Sequence, residues 1–83
     1  MILRIRRIRI RGQYWRLVVK RPPGRVKLHG LCDYAARTIY VHPSSDIIAT
    51  TIHEVLHAAL PDLTEQSVSD TEEAVMNAIE VVL

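Results

Sequence analysis

One change of hydrophobic period, at Pro43, constrains this 83-residue chain more than any other feature. Before it, apolar side chains recur at every second position. Ile8-Arg9-Ile10-Arg11 alternates strictly, and Trp15, Leu17 and Val19 share a face opposite Tyr14, Arg16, Val18 and Lys20. That is the pattern of half-exposed strands. After Pro43, Ile48, Ile52, Val55, Leu56 and Ala59 recur with helical spacing. Strands followed by helices predict an α+β fold: a small antiparallel sheet of three to four strands, then two helices packed together on one of its faces.

Local signals refine this division. Leu3 and Ile5 alternate in the opposite phase to Ile8 and Ile10, so the doubled Arg6-Arg7 between them predicts a bulge. Gly12-Gln13 is a candidate two-residue turn. Pro22-Pro23-Gly24 breaks the chain. A third extended stretch then runs from Val26 and Leu28, around Gly30, to Tyr34. A turn near Ala35-Ala36 leads to a fourth strand over 38–42. Ser44-Ser45-Asp46 offers N-cap oxygens for the first helix, which Pro61 ends. The second helix starts near Thr64 or near Ser69, with Asp62 three before Glu65 and Ser69 three before Glu72 as cap chemistry. The chain thus reads as one domain: a strand block over 1–43, a helix over 44–60 and a helix over 64–83.

Size and charge exclude several classes. A chain this short buries little surface and usually needs a staple, yet its single cysteine cannot form an internal disulfide. No apolar run approaches membrane-spanning length. The arginine-studded N-terminus lacks the apolar stretch of a signal peptide, so a cytoplasmic location is expected, with no membrane partner. Residues 1–27 carry ten Lys and Arg and no acid, whereas 28–83 carry nine acids against Arg37 alone. A basic third of this kind can contact nucleic acid. Arg alternating with Ile is also the solvated face of a sheet, whose charges discourage edge pairing, and that reading is preferred.

The stretch that carries chemistry is His53-Glu54-Val55-Leu56-His57. Residues four apart share a helix face, so both imidazoles can hold one Zn²⁺. Glu54 is rotated about 100° from His53, beside the ion. There it can act as general base toward a zinc-bound water and return the proton to a leaving amine.

With Ile52 before it, Ala58 after it, then Pro61-Asp62-Leu63-Thr64-Glu65 and Glu72-Glu73-Ala74-Val75, the chain over roughly 30–83 resembles the zincin metallopeptidases. Within them it is most similar to the very small gluzincin-like members common in phages and bacteria. The resemblance implies a zinc-dependent metallopeptidase with a strand block, an active-site helix over 44–60, and a following helix that supplies a third, carboxylate ligand. It also implies a peptide or protein substrate bound in extended form, adding a strand to a sheet edge.

The identity of that third ligand is open among Asp62, Glu65, Asp70, Glu72, Glu73 and Glu80. No Cys or His follows His57, and Leu60 and Leu63 occupy the positions where a metzincin pattern needs Gly and a ligand. Helical phase puts Glu72 inside the Val68–Val75–Ile79 stripe and Glu65 on its margin, while Glu73, Glu80 and Asp70 turn toward solvent. A carboxylate on a buried stripe needs a partner. If the helices fold back at Pro61-Asp62-Leu63, Glu72 also lies nearer the histidine level than Glu65. The expected ligand set is therefore His53, His57 and Glu72, with Glu65 and Glu73 as alternatives; Glu73 with Asn77 fits one feature of larger gluzincins. His29, His42, Tyr34 and Tyr40 read as structural, Cys32 as a small buried residue, and Trp15 as a core anchor. The rival reading is a zinc-stapled binding module whose basic strands contact nucleic acid or a protein partner.

Overall fold

The computed structural model describes residues 4–83. Four strands, β1 (Arg4–Ile10), β2 (Gln13–Val19), β3 (Gly30–Asp33) and β4 (Thr38–Val41), precede two helices, α1 (Ile47–Ala59) and α2 (Glu65–Val82). The fold is α+β. The strands form one sheet in the order β1-β2-β4-β3. β1/β2 and β3/β4 pair antiparallel, but β2/β4 pair parallel, so the sheet is mixed where an antiparallel one was expected. The cause is the irregular segment 20–29. It carries the chain past one strand position to the far edge, and β4 returns into the gap.

The expected bulge is absent. β1 and β2 pair without interruption from Arg4↔Val19 to Ile10↔Gln13. Ile5 is out of phase because it stands opposite Val18, which neighbours Tyr40, in a row on the face away from Trp15 and Ile39. Leu3, the other residue of that argument, lies outside the described residues. The hairpin turns at Arg11-Gly12, one residue earlier than expected. Both have positive φ, 49° and 80°, as a two-residue turn matched to strand twist requires. From this turn the Arg11 guanidinium donates to the Ala59 carbonyl at 3.0 Å, tying the hairpin to the last turn of α1.

Both helices start at side-chain caps. Asp46 accepts from the Ala49 N–H and Thr64 from the Ser67 N–H. α2 therefore begins by the Thr64 option, with Thr64 itself in place of either predicted capping box. One face of the sheet meets α1 through Ile10, Trp15, Ile39 and Val41, joined by Val55, Ala58 and Ala59 from the helix. Ile39 and Val41 are fully buried, each contributing about 1.5–3 kcal/mol. α2 packs on α1 rather than on the sheet, with Val68 as its one buried residue. No helix among the described residues is long and apolar enough to cross a membrane.

Candidate metal centre

His53 and His57 lie one turn apart on α1, and their Nε2 atoms approach to 3.3 Å. Glu65, the first residue of α2, reaches both: Oε1 lies 2.5 Å from His53 Nε2 and Oε2 3.0 Å from His57 Nε2. One ligand atom from each of His53, His57 and Glu65 falls within 4.8 Å of the others. Two imidazoles and a carboxylate converging at that spacing form a donor set that can hold a metal ion.

Glu72, the ligand preferred from the sequence, sits elsewhere. Its Oε1 meets His53 Nδ1 at 2.9 Å, the nitrogen turned away from the convergence point. Glu65 and Glu72 are seven residues apart and so share a helix face two turns long. The His53 ring stands between them. Nδ1 lies nearer the helix backbone than Nε2, so the half-buried Glu72 between the helices reaches Nδ1. Both Nε2 atoms project further, toward the exposed Glu65. The expectation that a carboxylate on the buried stripe needs a partner identified Glu72 as paired, but the partner is an imidazole. A carboxylate on the second nitrogen fixes the ring's tautomer and orientation. Glu73 is exposed and joins no such cluster, as do Asp62 and Glu80, and Asp70 accepts from the Gln66 side chain.

Glu54 is 8 % exposed, its carboxylate pressed against Gly30 of β3. Burial raises its pKa above the usual carboxylate range, against the opposing pull of His53 and His57. For His53, burial disfavours the charged ring, but the hydrogen bonds to Glu65 and Glu72 outweigh it and raise the pKa. These groups line one open cleft of about 800 Å³, whose opposite wall is the chain from Leu28 to Cys32 with Tyr34.

The wall includes residues whose strand positions alone assign no direction toward the histidines. Tyr34 donates its hydroxyl proton to the His57 carbonyl at 2.9 Å and meets Trp15 edge to face. His29 also lines the cleft, whereas His42 and Tyr40 do not. Cys32 lines it as a thiol whose pKa burial pushes up to about 11, outside the ligand group. Gly30 escaped notice as a site residue, although a glycine inside a strand signals close approach. A Cβ there would lie 2.7 Å from Thr50 Cγ2 and 2.8 Å from Glu54 Cγ.

β3 is the sheet's edge. The His42 N–H donates to the His29 carbonyl at 2.7 Å, and bonded pairs alternate along an antiparallel ladder. With residue 29 bonded to 42 in the β3/β4 register, the backbone groups of Gly30 and Cys32 face the open side. Comparison of the chain with protein-family models, with curated proteins and with solved structures returned no match.

Proposed function

We propose that this protein is a zinc-dependent metalloendopeptidase of minimal zincin type. His53, His57 and Glu65 hold the ion, Glu72 orients His53, and Glu54 is the general base. The observation that carries the reading is the convergence of two imidazoles and one carboxylate within 4.8 Å, beside a buried Glu54 and an unpaired strand edge. Zinc, when bound, supplies Lewis acidity toward a peptide carbonyl and a water molecule.

The chain's own residues do the rest. The outward-facing backbone groups of Gly30 and Cys32 bind a peptide as an added strand. That lays the peptide across the cleft in front of α1. Glu54 takes a proton from the attacking water and delivers it to the leaving nitrogen, a role suited by a carboxyl whose pKa burial has raised. Glu72 holds the His53 ring through Nδ1 and leaves Nε2 free for the ion. The cleft is open, so main-chain bonding along the strand edge carries much of the substrate recognition.

Glu54→Gln tests this. It keeps shape and volume but removes the base, so zinc content and thermal unfolding should stay at wild-type values. Hydrolysis of an unstructured protein such as casein should fall by at least about a hundredfold. No turnover in either protein with zinc bound would favour the zinc-stapled binding module, and equal turnover in both would remove Glu54 as the base.

A further inference from the structure

Beside the cleft lies a second pocket of about 340 Å³, lined by Arg21, Lys27, His29, His42, Ser44 and Ser45 together with Leu28. Leu28 and His29 line both hollows, so the two meet where the chain enters β3. Their chemistry is opposite. The cleft contains Glu54, Glu65, Glu72 and Asp46, whereas the pocket contains no acid. Arg21 and Lys27 come from the segment 20–29, are exposed, and form no ion pair among the described residues.

The other wall is built from His42 and the turn after β4. His42 Nδ1 accepts from the Ser44 N–H at 3.0 Å, which leaves the ring proton on Nε2 as a donor. The Ser45 hydroxyl donates to the His42 carbonyl at 2.7 Å and accepts from Thr50, holding this wall against α1. The backbone bond from His42 N–H to the His29 carbonyl joins it to the entry of β3. Donors thus come from two walls, and no acid among the lining residues competes for them.

We propose that this pocket is a carboxylate subsite. It takes an acidic side chain, or a chain-terminal carboxylate, of a peptide laid along β3. Arg21 supplies a bidentate contact and Lys27 and His42 Nε2–H further donors. Lys27 lies three residues before Gly30 in the chain, and Leu28 and His29 line both hollows, so the pocket sits a short way along from the point where the peptide passes Glu54. The enzyme therefore selects acidic peptides by a residue a short way along from the bond it cuts. The substrate part of this inference rests on the peptidase reading; the pocket's affinity for carboxylates does not.

The test is a binding titration of the zinc-loaded full chain, labelled with ¹⁵N. The probes are N-acetylglutamate α-amide, which offers a side-chain carboxylate, N-acetylglycine, which offers a terminal one, and N-acetylglutamine amide as the neutral control. The expected result is saturable amide shifts over 27–30 and at His42, Ser44 and Ser45 with at least one acidic probe and none with the control. Arg21→Ala and Lys27→Ala, both at exposed loop positions, should each weaken binding by about tenfold or more. The tighter acidic probe identifies the source of the carboxylate. Absence of saturable shifts, or shifts that survive both substitutions unchanged, overturns the proposal. Turnover plays no part in this readout, so its failure leaves the peptidase reading intact. Binding without any peptide hydrolysis instead sinks the peptidase reading and leaves the carboxylate site.

Discussion

The α1–α2 face and the β1–β2 hairpin are both rich in charge and treat it in opposite ways. Every ion pair of the described residues joins His53 or His57 to Glu65 or Glu72. On the hairpin, Arg4, Arg6, Arg7, Arg9, Arg11 and Arg16 are all exposed and pair with no carboxylate. In the first region His53, His57 and Glu65 converge on one point, which costs free energy unless a cation completes it. Groups in the second diverge into water, where each is cheap. Convergence, more than charge density, marks the candidate site. Arginines on an edge strand are also a general device that discourages pairing with another chain.

The largest expected effect breaks the convergent side. Glu65→Ala and His57→Ala should each leave the ion under-coordinated and lower zinc affinity by at least about a hundredfold, read by competition with a chromogenic chelator. Glu72→Ala should cost about 10- to 100-fold, the range for a carboxylate that orients a ligating imidazole. Glu73→Ala should change nothing measurable. If Glu72→Ala abolished binding while Glu65→Ala spared it, the two carboxylates would have to exchange roles.

Next in size comes the contact of the convergent region with β3, the sheet edge farthest from the hairpin. Gly30 lies where β3 meets α1, and an added Cβ would approach Thr50 Cγ2 to 2.7 Å and Glu54 Oε2 to 2.9 Å. Gly30→Ala should therefore destabilise the fold by about 1–3 kcal/mol in urea unfolding, as overpacking does. It should also displace Glu54, so turnover would fall while zinc affinity held. A substitution neutral in both measurements would show that the helix and the strand are less tightly apposed than these distances require.

The sequence made the layers of this fold legible, and its site in part. The change of period at Pro43 separates sheet from helices because burial on one face imposes a different repeat on each. His53, Glu54 and His57 are readable because their geometry is internal to one helix. Strand order is not readable, since nothing in 20–29 records which side of β2 the chain passes. The third ligand is hard for a related reason. Phase brings Glu65 and Glu72 to the same face, and which nitrogen of His53 each meets depends on the spacing of two helices. Ile5 shows the limit of alternation: its inverted phase fits a bulge or a second apolar face equally well, and its partner Val18 decides for the latter.

The smallest expected effect concerns the divergent side. Arg7 and Arg9 both stand over the Tyr14 ring, at 4.4 and 5.7 Å from its centroid, and exposed cation–π contacts contribute about 0.5–1 kcal/mol. Arg7→Ala should cost up to about that amount and Arg9→Ala less, because its guanidinium is further from the ring. Neither should alter zinc affinity. Such stacking also occupies the one aromatic face on the hairpin that a nucleobase would use, so single-stranded oligonucleotides should bind negligibly near physiological salt. Fluorescence anisotropy over a salt series checks this. A tight complex whose affinity drops steeply with salt would mean released counterions and several phosphates held at once. The hairpin's arginines would then be a convergent site after all, assembled by the ligand and not by the fold.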